Sequence, residues 1–314
     1  MLKYVLLRLL AMIPLLFVVL FIVFSLGHLA PGDPVEMMYV NVVLEQSTVT
    51  EEQKQEVRHR YGLDQPFFVQ FGAYVQRLAQ GDFGNSITQS RPVLPMILKV
   101  FPISAQLGLA ALIMLPIVGI PLGILAAQHQ NRAGDYAIVG GSLFLRTVPV
   151  YVLAPLLLIL LVLQFHIMDV PNGWHGLFTS NVVLPVFLLM LFPLAVVIRQ
   201  MRASVLEVLS TDYVRTARAK GLRERQVVIV HIMRNALTPV VTEFGLIVTG
   251  LITGSVFLET IFGIPGFGQL YVNALRQRDY PLILGCTVLA TMLVMVSNLV
   301  VDVIYPMLDP RVKL

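Results

Sequence analysis

Residues 210–239 read STDYVRTARAKGLRERQVVIVHIMRNALTP, a basic, helix-forming insert between two apolar runs. From Arg199 to Ala236 eight Lys/Arg stand against Glu207, Asp212 and Glu224, so this one segment outweighs the whole chain's net charge of +4. Ser210 or Asp212 can cap a helix running to about Lys220, and Gly221 can take the left-handed conformation that ends it. A second helical pattern starts near Arg223 and passes Val227, Val230, His231 and Arg234 toward the next apolar run. The stretch predicts helix, glycine turn and helix on the cytoplasmic face of a membrane protein. Arg215, Arg218, Lys220, Arg223 and Arg225 are expected in water or against anionic lipid, which explains the charge but not the glycine. A DNA-reading helix-turn-helix is a poor fit for an insert tethered to apolar runs at both ends, and no nucleic-acid partner is expected.

The rest of the chain sets that insert in a bilayer. Of 314 residues 57% are hydrophobic and 13% charged, where soluble domains carry about 25% charged residues. About 20 apolar residues cross a bilayer as a helix, because only a helix or a closed barrel satisfies its own backbone polar groups there. Leu9–Leu29, Phe101–Ala127, Ala137–Phe165, Val182–Ile198, Leu237–Leu258 and Leu282–Tyr305 reach or approach that length. The fourth run is the shortest and holds Pro185 and Pro193. The first has no small-residue cleavage site behind it and is expected to be an uncleaved span. The single cysteine, Cys286, cannot form an internal disulfide and reads as a small core or lipid-facing residue.

Flanking charge gives orientation. Lys3, Arg8, Arg132, the basic insert, Arg311 and Lys313 all fall on one side, while 166–181 has no Lys or Arg. The positive-inside rule then places both termini in the cytoplasm, with Arg276 and Arg278 running against it outside. The expected fold is an all-α polytopic membrane protein with six transmembrane helices. Its parts are a first span 1–30, an exterior subdomain 31–98, a core 99–305 with five spans and the loop 199–236, and a tail 306–314. The exterior segment holds eight acidic residues against five Lys/Arg. Within it Thr48 to Tyr61 predicts an amphipathic helix capped by Thr50 or Thr48, with Glu51 and Glu52 in its first turn. Phe67, Phe68, Phe71, Tyr74, Val75 and Leu78 form a second apolar stripe at helical spacing, suited to packing on the membrane rim or to binding a partner.

The insert resembles the cytoplasmic coupling loop of ATP-binding-cassette importer permeases, in which Glu-Ala-Ala precedes a glycine by three intervening residues. Here Arg215, Thr216 and Ala217 hold the matching positions before Gly221, so the glutamate and first alanine are replaced. DYVRTARAKGL from Asp212, followed by RNALTPVVT from Arg234, is similar to the dipeptide/oligopeptide branch of that family. Further blocks carry the resemblance along nearly the whole chain: PGDP from Pro31, YGLDQPF from Tyr61, GDFGNS from Gly81, ETIFGIPGFG from Glu259, RDYP from Arg278, NLVVDVIY from Asn298 and DPR from Asp309.

The resemblance implies a permease subunit with the type I importer architecture and no enzymatic activity. It implies Asp212, Tyr213, Arg215, Thr216, Ala217, Arg218, Lys220, Gly221 and Leu222 as the loop that seats on an ATPase. It also implies a second homologous permease as heterodimer partner, two cytoplasmic ATPases binding ATP and magnesium, and an exterior solute-binding protein delivering peptide. None of Lys3, Lys54, Lys99, Lys220 or Lys313 stands in a phosphate-cradling G-x-x-x-x-G-K-[ST] pattern, so no nucleotide, cofactor or metal is expected on this chain. Nickel chelates, glutathione or another small solute remain open as cargo, because related permeases share these motifs. An ion-coupled carrier would call for internally repeated halves and mid-membrane charged pairs.

Only Arg146 and Glu243 are ionisable groups well inside the runs. Either they approach each other across the bundle, with Glu243 lining a wet cavity and meeting a substrate amine, or both lie near interfaces with Arg146 snorkelling. The second reading is the simpler. Asn298 and Asp302 share a face of the last run and suit hydrogen bonding between helices more than substrate contact. His231 reads as a packing residue of the loop rather than a metal ligand. Glu259, Phe262, Pro265, Gly266 and Gly268, with Gly263, make a tight exterior loop, either part of an outer gate or a surface turn. Gly245, Gly250 and Gly254 suit close helix packing, and the resemblance places a seam with the second permease along the fifth and second spans.

Overall fold

The computed structural model describes residues 2–29, 50–60, 64–252 and 256–308. The segment 31–49, the Thr48 cap, Gly254 and the tail beyond 308 lie outside the described residues. All regular structure among the described residues is helical, apart from an isolated antiparallel bridge between Asn85 and Pro92. Among the described residues four helices are long and apolar enough to cross a membrane, and a bent pair makes a fifth candidate.

The described residues fall into two compact units, one built mainly from Pro102–Gln269 and Leu293–Leu314, the other from Leu6–Phe101 and Leu270–Met292. In the second, α1 (Leu2–Leu29) packs on α3 (Phe67–Ala79), which follows α2 (Glu51–Arg60). The Thr50 carbonyl accepts the Lys54 N–H, which puts Thr50 at the cap position of α2. Phe71 and Tyr74 of α3 are buried with Leu20 and Val288, and Phe24 stacks on Tyr74 at 5.6 Å. Phe68 is 74% exposed, so the apolar stripe is wider than the face that packs.

The other unit is organised around α7 (Val183–Leu209). Leu184, Leu188, Leu191, Leu194, Ile198, Met201 and Val205 are all buried, as expected of a helix apolar nearly all round. Pro185 sits in its first turn, where no intrahelical N–H partner is lost. The helix runs past Ile198 to Leu209, so the fourth run continues as one rod up to the basic insert.

Beside it, α4 (Val93–Gln128) starts eight residues ahead of the second run's apolar onset. A Cβ on Gly123 would lie 2.6 Å from the Met201 Cβ and 2.9 Å from the Ile198 carbonyl, so α4 and α7 approach to a distance only glycine allows. Among the described residues α4 and α7 therefore pack closely through Gly123. A Cβ on Gly250 would meet no atom of a neighbouring element within 4 Å among the described residues.

The third run is not one straight helix. α5 (Ala133–Thr147) and α6 (Val150–Leu158) meet at 104°, with Val148 extended before Pro149. A residue before proline is pushed out of the helical region, which supplies the break. α6 runs on into a π-helical stretch, Ile159–Gln164. The fifth run becomes a helical rod from Glu224 to Ile252: α9 (Glu224–Gln226), a π-helical turn Val227–Ile232, and α10 (Met233–Ile252). Its apolar part, Val227–Val241, is shorter than a full span. Short helices α11 (Val256–Ile261) and α12 (Phe267–Gln277) lead to α13 (Tyr280–Leu308).

Candidate coupling site

The basic insert folds as helix, glycine turn, helix. α8 spans Asp212–Ala219 and presents one apolar edge, Val214 and Ala217, to the core that also holds Val205, Val227, Ile232 and Ala236. Neither expected side-chain cap forms: Thr211 is the N-cap residue, and its hydroxyl donates back to the Val208 carbonyl at 2.6 Å. The Ser210 hydroxyl likewise donates to the Glu207 carbonyl, because both groups lie within one turn of the end of α7. Asp212 pairs loosely with Arg215 at 3.6 Å on the exposed side.

The C-terminus of α8 is a Schellman turn. Gly221 stands at φ +78°. Its N–H donates to the Arg218 carbonyl at 2.9 Å, and the Leu222 N–H reaches the Ala217 carbonyl at 3.4 Å. Arg218 spans the turn with two hydrogen bonds to the Glu224 carboxylate, at 3.2 and 2.7 Å. An exposed pair of this kind adds little stability, about 0–1 kcal/mol, so it braces the turn only weakly. The Asn235 amide on α10 donates to the Tyr213 hydroxyl at 2.7 Å, tying the two ends of the insert together. Asn235 carried no role in the sequence, since nothing local marks a partner 22 residues away. Arg215, Thr216, Lys220 and Leu222 are exposed beside this frame.

The loop after the fifth run is a knot around one carboxylate. Glu259 is 1% exposed. It accepts hydrogen bonds from the Ser104 hydroxyl at 2.6 Å and the Gln269 N–H at 2.9 Å, and the Ser104 oxygen in turn accepts the Phe267 N–H at 2.7 Å. A Cβ on Gly266 would lie 2.5 Å from the Glu259 carboxyl and 2.6 Å from the Ser104 oxygen, and one on Gly268 would lie 2.9 Å from the Val256 Cα. These glycines are where backbone closes over the carboxylate. Phe262 is buried and its carbonyl accepts the Gly173 N–H, while Pro265 is exposed.

A second knot holds two more of the quoted blocks together. Asp279 of RDYP accepts the Thr88 hydroxyl at 2.8 Å, the Ile87 N–H at 3.1 Å and the Ser86 hydroxyl. It also accepts the Leu282 N–H at 3.3 Å, capping α13. Near the insert, Arg202 of α7 makes a bidentate pair with buried Asp135 of α5, both contacts at 2.6 Å.

The remaining polar residues are dispersed. Arg146 lies over the Phe192 ring, 4.5 Å from its centroid, and forms no ion pair with Glu243, which is half-buried on α10. Asn298 is exposed and Asp302 half-buried one turn apart on α13.

Residues 119–314 match the family described as binding-protein-dependent transport system inner membrane component, and residues 1–108 match its N-terminal companion. The chain is 37% identical over 314 residues to the oligopeptide transport system permease protein OppB of Escherichia coli (strain K12), with 100% of both chains covered. It is 35% identical to the oligopeptide transport system permease protein AppB of Bacillus subtilis (strain 168), with 99% of each chain covered. It is 36% identical to the di/tripeptide transport system permease protein DppB of Pseudomonas aeruginosa (strain UCBPP-PA14), covering 100% of this chain and 99% of that one. The solved inward-facing MetNI methionine ABC transporter contains a chain similar in fold, at TM-score 0.53 and 14% identity, covering 69% of this chain and 97% of that one.

Proposed function

The chain belongs to the binding-protein-dependent transport system inner membrane components, and from that membership we propose that it is the permease subunit of an ATP-driven importer of oligopeptides or dipeptides. Its place is the inner membrane, and it works with an ATPase and a binding protein, as membership of the family entails. The more specific assembly is a heterodimer with a second, homologous permease, two cytoplasmic ATPases holding ATP and magnesium, and an exterior solute-binding protein. Six spans with both termini cytoplasmic, in the type I importer arrangement, complete the reading. The MetNI likeness supports the fold, and names of full-length relatives support the cargo.

One observation carries the coupling role. α8 is pinned to the core by Val214 and Ala217 yet offers Asp212, Arg215, Thr216 and Lys220 outward, beside a glycine turn that Arg218 and Glu224 bridge. A short helix held this way can receive a push and pass it on without unfolding. ATPase closure moves α8, and with it the spans, from inward-open to outward-open. The knot around Glu259 acts at the opposite face as part of the outer gate. Arg146 and Glu243 are assigned to polar stations along the pathway, and Asn298 and Asp302 to contact between helices.

Co-expression of the tagged chain with its neighbouring permease, ATPase and binding-protein genes tests this. The expected result is recovery of one four-subunit membrane complex whose ATP hydrolysis rises when the peptide-loaded binding protein is added. Recovery of the chain without ATPase subunits overturns it.

A further inference from the structure

We infer that the Tyr213–Asn235 hydrogen bond is a mechanical shunt, and that Asn235 is a positioning residue for coupling ATP hydrolysis to transport. The inference rests on the permease reading above and deepens it. Between α8 and α10 the chain passes through two yielding elements in series. The first is the glycine turn, which the two Arg218–Glu224 hydrogen bonds brace. The second is the π-helical turn Val227–Ile232, at whose end the Met233 N–H reaches back five residues to the Val228 carbonyl. Such wide turns hydrogen-bond less favourably than an α-helix and concentrate at working sites. Val227 and Ile232 are buried, but Ile229 is 56% and Val230 58% exposed, so packing covers only part of the turn.

A displacement of α8 travelling along the backbone would be absorbed at that turn. The Asn235 amide lies just beyond it, and at 2.7 Å from the Tyr213 hydroxyl it joins the first turn of α8 directly to the first turn of α10. The bond therefore bypasses both yielding elements. It is not what folds the insert: both side chains are exposed, whereas Val214, Ala217, Val227, Ile232 and Ala236 make the buried contact. Removing it should spare assembly and impair transmission.

The test uses the complete complex in proteoliposomes and reads peptide imported per ATP hydrolysed, for wild type, Asn235→Ala, Tyr213→Phe and the double variant. Each single variant should lower this ratio about fivefold, the weight of one ordinary hydrogen bond. The double variant should fall no further than either single one, because both remove the same bond. An unchanged ratio in Asn235→Ala, or a double variant whose loss is the product of the two single losses, overturns the shunt. Each preparation is also assayed for bound ATPase subunits. A wild-type chain that recovers none fails the permease reading, whereas intact assembly with an unchanged ratio fails only the shunt.

Discussion

Ser104 and Glu259, 155 positions apart in sequence, are joined by a 2.6 Å hydrogen bond that ties the first third of α4 to the glycine-rich loop after the fifth run. The serine donates to the carboxylate and accepts the Phe267 N–H, so its one hydroxyl orders both sides of the loop. Burial pushes the Glu259 carboxyl above its ordinary range, with the Ser104 hydroxyl and the backbone N–H groups of Gln269 and Gly268 opposing. A raised value means the folded loop holds the proton more tightly than the unfolded chain. That contribution is complete below the ordinary carboxylate range and is lost as pH rises through the raised value. Melting of the purified complex should therefore show an acid-side gain in stability that Glu259→Gln abolishes. Ser104→Ala, which strips a partner from a buried carboxyl, should cost about 1–3 kcal/mol. A wild-type melting temperature that rises across the same interval would contradict this.

Gly266→Ala should damage the same loop by crowding. Its Cβ would lie 2.5 Å from the Glu259 carboxyl and cannot be accommodated without moving Ser104 or the backbone. Overpacking of this kind costs about 1–3 kcal/mol. Thermal melts of the complex, with proteolysis of the loop as a second readout, should show the loop opening first.

Gly250 gives the opposite case. Among the described residues no atom of a neighbouring element lies within 4 Å of a Cβ there, and replacing a mid-helix glycine by alanine stabilises a helix by up to about 1 kcal/mol. If α10 forms a seam with the second permease, Gly250→Leu should leave this chain's insertion and expression unchanged but reduce the amount of partner permease that co-purifies. Undiminished recovery of the partner would move the seam elsewhere.

The Asp135–Arg202 pair should be the most sensitive polar contact near the basic insert. Asp135 is 3% exposed, and both guanidinium contacts are 2.6 Å. Asp135→Asn removes a charge-assisted hydrogen-bonded pair whose Arg202 side is a quarter exposed to water, at a cost of about 1.5–3 kcal/mol. Asp135→Asn should lower the melting temperature and Asp135→Glu much less, measured by the same thermal assay.

Gly221→Val should uncouple rather than unfold. No atom lies within 4 Å of a Cβ at Gly221, but its φ of +78° is strained for any L side chain, costing about 1–2 kcal/mol. Peptide uptake should fall while membrane levels of the chain hold. Gly221→Asn, which tolerates the left-handed region, should retain more transport.

The long apolar rods were legible because hydropathy is additive along a helix: α1, α4, α7 and α13 each cover a predicted run. The glycine turn was legible because Gly221 stands between two local patterns. Other features depend on partners distant in sequence. Asp279 and Ser86 lie in two blocks quoted separately, and only folding brings them together. Asp135 had no place in the sequence reading, and Arg202 entered it only as flanking charge, which bears on orientation but not on pairing. The extension of α7 past Ile198 carries polar residues such as Arg199 and Arg202, so hydropathy ended the run where the helix did not. The third run reads as one continuous span, and hydropathy gives no sign of the 104° bend at Val148–Pro149, because the break interrupts the backbone without interrupting the apolar run.

The most direct test is uptake of a labelled oligopeptide by proteoliposomes holding the purified complex, with the binding protein outside and ATP either sealed inside or omitted. Accumulation that needs both internal ATP and the binding protein, and that collapses in Gly221→Val, is the predicted result. Accumulation driven by an ion gradient without ATP, or by this chain alone, would contradict the account.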